Sequence, residues 1–342
     1  MNNNVLIIYH SEDNDGRVSG ALCRLAVEER FTGTKVTCYG RTYAQLTEWL
    51  SKFNSIKNFV KHIRSLYDTI ILTDISFNEL SVMNELYKEF NDNFYWFDHH
   101  TPAVKSSFDN GYNNVKGIRV NGDYSAIRCV WEYFFCNSVS GSDNKNTPKL
   151  LNTLSAYDSW NWLGHGTTFD FCNYVNKGFN VESCCDFDKT YNIIKVLLAN
   201  LNKANVSDPT LHEQQLLMNC YTTGRILAVS EDINNKDLIN RFGDYSFTLE
   251  NGDKCCALFN QSLLNSTSFK SLKNTDTRHG IVFKRLPHTG KYVISLYNIN
   301  DDDKFNCGAY LKKRYNGGGH LGAGGATVSK AVFNNILNSN VL

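Results

Sequence analysis

The chain has 342 residues, 42% of them hydrophobic, and a formal net charge of +1, which allows two domains that each bury a core. The balanced charge excludes a global basic field for a long polyanion, so an anionic partner must be read by a local site. No apolar segment is long enough to span a bilayer, and the 11 cysteines scatter without a Cys-x-x-Cys pair, which excludes a disulfide framework or tetrahedral zinc spacing and leaves reduced thiols.

The start, Met1-Asn2-Asn3-Asn4, carries no charged stretch followed by an apolar one, so no leader and a cytoplasmic protein are expected. Residues 5–9 form a continuous apolar run, too short for a helix and typical of a buried parallel strand. A helix is predicted from Val18 to Glu29, a second strand over Thr34–Tyr39, and a third over Thr69–Leu72, followed by Asp74. Leu80, Met83, Leu86, Tyr87 and Phe90 recur at helical spacing, and Phe94–Phe97 is the next strand. Ala126–Phe135 and the region around Leu150–Tyr157 read as further helices. This rhythm predicts an α/β fold, a mostly parallel, doubly wound sheet over residues 1–190. A helical connector follows over 191–242, with helices at Ile193–Leu201 and His212–Val229. Residues 243–342 are expected to form a smaller α+β domain, with strands Tyr245–Glu250, Cys256–Asn260, Gly280–Lys284 and Tyr292–Ile299. Arg285–Lys291 joins the last two as a hairpin, and Ala309–Tyr315 reads as a helix.

Acidic and imidazole side chains fall repeatedly at the ends of the apolar runs. His10-x-x-Asp13-x-Asp15-Gly16 follows the first strand, Asp74 the third, and Asp98-His99-His100 the fourth, while Asp158 sits in Ala156-Tyr157-Asp158-Ser159-Trp160. The carboxyl edge of an open α/β sheet is where such folds place their chemistry. Carboxylates and imidazoles converging there repel and desolvate one another unless cations neutralise them. Two divalent cations about 3.5–4 Å apart are the economical solution and a common apparatus for phosphoryl hydrolysis. Oxygen and imidazole donors without thiolate favour Mn²⁺, with Mg²⁺, Co²⁺ or Fe²⁺ as alternatives. Taken singly, Asp13 and Asp15 also suit a turn or helix cap, Asp74 and Asp158 suit element ends, and His10 suits a satisfied core histidine. His62, His165, His212, His279 and His288 have no spacing partners and read as surface or structural residues.

The four segments Tyr9–Gly16, Thr73-Asp74, Asp98-His99-His100 and Tyr157-Asp158 resemble the motifs of the DHH phosphoesterase superfamily. Gly317-Gly318-Gly319-His320, continuing to Gly325, resembles the Gly-Gly-Gly-His segment of the associated substrate-binding domain. The motifs occur in family order along nearly the whole chain. The resemblance implies that His10, Asp13 and Asp74 hold one ion, and Asp15, Asp74, His99 and Asp158 the other. It implies that a water between the ions attacks phosphorus in line, that His100 contacts the scissile phosphate, and that Asp98 orients an imidazole. His10 is the least regular of these positions, because the gap from the first histidine to the first aspartate varies in the family.

The glycine run exposes backbone N–H groups to a phosphate or nucleobase, with His320 as a donor; equally, it suits a loop that closes the Ala309–Tyr315 helix. Lys312, Lys313 and Arg314 add positive potential or form a solvated helix face. Family nucleases often carry an arginine where this chain reads Ser295-Leu296-Tyr297-Asn298, so Tyr297 replaces a bidentate phosphate fork with a phenol suited to stacking on a base. The resemblance points to the nano-RNase and oligoribonuclease branch, with a site in an inter-domain cleft and short single-stranded oligonucleotides or dinucleotides as substrates. Cyclic dinucleotides and adenosine bisphosphate are neighbouring candidates. The rival readings are a phosphatase on pyrophosphate or polyphosphate, and a non-catalytic nucleotide-binding module.

Overall fold

The first half of the chain runs β1 (Asn4–His10), α1 (Asn14–Arg30), β2 (Lys35–Arg41), α2 (Tyr43–Ser51), α3 (Ile56–Leu66), β3 (Thr69–Thr73), α4 (Leu80–Phe90), β4 (Phe94–Phe97), α5 (Ala126–Phe134), α6 (Lys149–Asp158), α7 (Phe169–Glu182), α8 (Phe187–Leu201) and α9 (Pro209–Phe242). This computed structural model describes residues 4–31, 33–100, 104–105, 109, 111, 114–120, 124–136, 147–201, 209–242, 245–259, 268–269, 272, 275–287, 289–300, 305–319 and 321–342. The chain divides into two compact units, Met1–Ile226 and Leu227–Leu342. The division falls inside α9, within the stretch expected to act as a connector.

Alternation along the strands explains why the first sheet is covered on both faces. In β1, Val5 and Ile7 enter one buried cluster and Leu6 and Ile8 another, because successive side chains of a strand point to opposite faces. β3 repeats the division with Ile71 against Ile70 and Leu72, and β4 with Phe97 against Phe94 and Trp96. A sheet that is apolar on both sides must be buried on both sides. One face receives Val18, Ala21 and Leu22 of α1, Ile127 of α5, Leu154 of α6, Phe179 of α7 and Ile194 of α8. The other receives Leu46 of α2, Phe59 and Ile63 of α3, and Val82 and Leu86 of α4.

The strand order is β2-β1-β3-β4, with every neighbour parallel. After β1 the chain goes to one side for β2 and then crosses to the other for β3. The loops leaving β1 and β3 therefore diverge, opening a crevice at their carboxyl ends. The sequence reading assigns no element to α2, α3 or α7. The first two are short, amphipathic and strongly capped, Thr42 by a reciprocal capping box with Gln45 and Ser55 by its side chain.

The second unit contains β5 (Tyr245–Thr248), β6 (Lys254–Phe259), β7 (Thr277–Arg285), β8 (Tyr292–Asn298), α10 (Cys307–Tyr315), β9 (Gly318–Gly319), β10 (Ala323–Val328) and α11 (Lys330–Ser339). Its sheet runs β5-β6-β7-β8-β10-β9, mixed in direction, with β6 and β7 parallel and β7 and β8 an antiparallel hairpin. Cys255 and Ala257 of β6 face a cluster that includes Leu311 of α10 and Ile336 of α11, while Cys256 and Leu258 face another around Phe269.

Among the described residues no helix is long and apolar enough to cross a membrane. The 11 cysteines are free thiols.

Candidate metal centre

Each motif residue reaches the crevice for a local reason. His10 is the last residue of β1, and the chain turns at once into α1, where Asp13 is the N-cap and accepts a hydrogen bond from the Gly16 N–H at 2.9 Å. The turn is tight enough to require glycine at 16: a Cβ there would lie 2.0 Å from the His10 carbonyl oxygen. Asp13 Oδ2 is 2.9 Å from His10 Nδ1, so one carboxylate caps a helix and joins the cluster at once. Asp15, 2% exposed, sits in the first turn of α1. Its two oxygens accept from the Ala126 and Ile127 N–H groups at 2.7 and 2.8 Å, so it also supports the N-terminus of α5.

Asp74 follows β3 with φ +58°, a left-handed conformation that aspartate tolerates better than most residues. Its N–H donates to the Phe97 carbonyl at 2.9 Å, extending the β3–β4 ladder by one step. Asp98 is fully buried beyond β4, where its backbone pairs with Arg119. One of its carboxylate oxygens accepts from Trp96 Nε1 at 3.1 Å, and the other from the His100 N–H at 3.0 Å and His100 Nδ1 at 2.9 Å. Asp158 is the last residue of α6.

The most telling contact set belongs to His99. Its Nε2 lies 3.1 Å from Asp158 Oδ2, 3.3 Å from Asp74 Oδ1 and 3.5 Å from Asp15 Oδ2. Three carboxylates around one imidazole nitrogen exceed what a single proton can bridge. Asp74 Oδ1 and Asp158 Oδ2 are buried without a hydrogen bond, although buried acceptors are rarely left so. Three groups of side chains have donor atoms within 4.8 Å of one another: His10, Asp13 and Asp74; Asp15, His99 and Asp158; and Asp74, His99 and His100.

The electrostatics report the same excess of negative charge. Burial, then the neighbouring Asp15 and Asp13, pushes the Asp74 carboxyl well above the carboxylate range. Burial and the nearby Asp158 push Asp15 up to about 6. Burial alone would lower the His99 pKa, but the carboxylates of Asp158 and Asp74, 3.1 and 3.3 Å from its Nε2, override it and raise it. Asp98 is pulled down, against its burial, by its bonds to His100. The oxygen and imidazole donors, the two orphaned carboxylate oxygens and the raised carboxyls all fit divalent cations.

Sequence reasoning missed part of the frame. The ring of Tyr43 lies 5.7 Å from His10 and 6.4 Å from His100, and no motif announces it. Glu12 Oε2 is 3.4 Å from His10 Nε2. Buried Arg17 donates to the Ser11 carbonyl at 2.9 Å, Asn14 Oδ1 at 2.8 Å and Asn180 Oδ1 at 2.7 Å, clamping the 11–14 loop to α7.

In the second unit, Asn316 closes α10 in a left-handed conformation and Gly318–Gly319 forms a strand against Gly324 and Gly325. The glycine run is therefore a packed strand rather than an open loop. A Cβ on Gly317 would lie 2.3 Å from the Gly325 carbonyl oxygen, and one on Gly319, at φ +135°, 2.4 Å from that of Ala323; a Cβ on Gly318 meets nothing within 4 Å. Packing thus accounts for two of the three glycines and leaves Gly318 open. Tyr297 is half-buried on β8 opposite Ala323, with its ring 6.2 Å from Phe269. His320 and His288 lie outside the described residues.

No family model and no curated protein matches the chain. Among solved structures it is similar to the pGpG-specific phosphodiesterase PggH from Vibrio cholerae, with 14% identity and a TM-score of 0.41 over 99% of this chain and 97% of that one. It is also similar to RecJ in complex with Mn²⁺ from Thermus thermophilus, with 14% identity and a TM-score of 0.49, over 98% of this chain but 51% of that one. A third similar structure is an exonuclease RecJ bound to manganese, with 13% identity and a TM-score of 0.45 over 98% and 89% of the two chains. The chain's own residues carry the functional reading: four segments resembling the DHH phosphoesterase motifs, in family order, come together at one sheet edge.

Proposed function

We propose that the protein is a phosphodiesterase that uses two divalent cations, Mn²⁺ foremost, to hydrolyse short oligonucleotides or dinucleotides from an end. The observation that carries this reading is the position of His99 Nε2, within 3.5 Å of three separate carboxylates. His10, Asp13 and Asp74 would hold one cation, and Asp15, Asp74, His99 and Asp158 the other, with Asp74 common to both. When bound, the pair supplies Lewis acidity and a water activated near neutral pH.

The remaining residues position and move protons. With a carboxylate as partner, His100 Nδ1 carries a proton, which leaves Nε2 to face a phosphate oxygen. The hydrogen bond that His100 Nδ1 donates to Asp98 raises the His100 pKa against its burial, so the ring can donate to the leaving oxygen. Asp98, fixed by Trp96, sets that ring's orientation. Gly317, Gly318, Gly319 and His320 of the second unit would bind a nucleotide, and Tyr297 would stack on a base. The open position at Gly318 supports this, since packing does not explain that glycine.

The test offers short RNA, short DNA, linear and cyclic dinucleotides, and pyrophosphate in parallel with Mn²⁺, with Asp74→Ala as control. Metal-dependent cleavage of a nucleotide diester that is lost in Asp74→Ala is the expected result. Phosphate release from pyrophosphate alone would replace this reading with a phosphatase. No turnover of any substrate would replace it with a binding module.

A further inference from the structure

The turn that follows Asp158 carries an aromatic group that the metal centre does not use. Two of the chain's 5 tryptophans, Trp160 and Trp162, lie there. Trp160 is 44% exposed and Leu163 81% exposed. Behind them, Trp160 and Trp162 have ring centroids 5.7 Å apart, Trp162 meets Phe169 edge-on at 5.1 Å, and Tyr157 stacks on Phe169 at 6.2 Å.

The turn is built rather than loose. Thr167 N donates to the Trp162 carbonyl at 2.9 Å, Gly166 N to that of Leu163 at 3.0 Å, and Gly164 N to Asn161 Oδ1 at 3.2 Å. His165 Nδ1 bonds Asn152 Oδ1 at 2.7 Å, tying the turn to α6. Trp160 itself has φ +56°. It occupies the left-handed position just past the helix end, where glycine or asparagine is the usual occupant. A bulky side chain held there against its steric preference is a reason to look for a use of the ring.

We infer that Trp160, backed by Trp162 and Phe169, is a stacking platform for a nucleobase next to the scissile phosphate. This rests on the phosphodiesterase reading above and adds the part of the substrate that is recognised. The occupant follows from chain continuity. Asp158, whose carboxylate is 3.1 Å from His99 Nε2, is two residues from Trp160, so their Cα atoms are at most about 7.6 Å apart. A diester gripped at the centre brings its own nucleoside to such a surface, whereas a protein covering it would crowd the centre. An exposed indole also suits every base, because stacking requires only a π-face.

The test compares wild type, Trp160→Ala and Trp160→Phe on a linear dinucleotide and on the same diester with both bases removed, with Mn²⁺ present. Stacking on a base is worth about 1–3 kcal/mol by alanine substitution, or about 5- to 150-fold in affinity. Trp160→Ala should therefore raise KM for the dinucleotide about 5- to 150-fold with little change in kcat. It should leave the abasic diester unchanged, and Trp160→Phe should stay within about threefold of wild type. Equal losses on both substrates, or no change on either, would overturn the platform while leaving the phosphodiesterase reading intact. A wild type inactive on both diesters would overturn both.

Discussion

Replacing Asp74 with asparagine separates the cost of the acidic cluster from its use. The substitution keeps shape and suits φ +58°, since asparagine is among the few side chains at ease there. It removes one charge from a pocket in which the donor atoms of Asp74 and Asp13 lie within 4.8 Å of each other. Two like charges at that separation repel by about 3 kcal/mol at an effective dielectric constant of ~20. Part of this is already relieved by proton uptake, because the Asp74 carboxyl is pushed well above its usual range, and part is offset by lost attraction to His10 and His99. A net gain of about 1–2 kcal/mol in the metal-free protein remains, or roughly 2–8 °C in melting temperature for a unit of this size. In Mn²⁺ the order reverses, because the variant lacks the carboxylate shared by both proposed ion sites. The assay is thermal melting of both proteins in chelator and in Mn²⁺, alongside turnover. The expected pattern is a higher melting temperature in chelator, a Mn²⁺ response largely lost, and turnover down by orders of magnitude. A variant that melts below wild type in chelator, or that keeps the full Mn²⁺ response, would refute the charge argument.

The remaining expectations follow from the same geometry. Asp15 is raised to about 6, so in the metal-free protein its contribution to stability is present below about pH 4 and is lost as pH rises through about 6, amounting to ~3 kcal/mol. Mn²⁺ must displace that proton, so its stabilising effect, read as the shift in melting temperature, should be larger at pH 7.5 than at pH 5; equal shifts would contradict the assignment. Asp98→Asn should reduce kcat about 10- to 100-fold while retaining most of the Mn²⁺-induced stabilisation, because it frees the His100 ring without removing a proposed ligand; isothermal titration checks the second half. Gly319→Ala should destabilise the second unit by about 1–3 kcal/mol or more, whereas Gly318→Ala should melt normally and weaken substrate binding. If the two variants behave alike in both measurements, the open position at Gly318 has no role in recognition.

The parallel sheet was readable because β1, β3 and β4 are largely continuous apolar runs, each followed by a polar turn at the carboxyl edge. The acidic residues stood out for the same reason: Asp74 and Asp98 put a carboxyl directly after an apolar run, in a position that stays buried. What stayed hidden depends on distant pairing. Asp15 meets the amides of Ala126 and Ile127 across 111 and 112 residues, and nothing near either segment marks the contact. Arg17 finds Asn180 in the same way. Tyr43 lies on a short helix whose apolar face is narrow, so neither the helix nor its closeness to His10 has a strong local signal. The strand Gly318–Gly319 defeats propensity altogether, since glycine is depleted in strands and here serves close backbone approach.

The double duty of Asp15 also bears on how such a site would decay. Asp158 faces mainly other members of the cluster, so loss of chemistry would remove the pressure to keep it. Asp15 would stay, because the amides of α5 need its carboxylate whether or not a cation is present. At pH 5, where Asp15 already holds a proton, Asp15→Asn should accordingly lower the melting temperature in chelator as well as in Mn²⁺, because it removes an acceptor from the α5 amides. In an inactive descendant of this chain, Asp15 would be the last acid to go, and its survival alone would be no sign of catalysis.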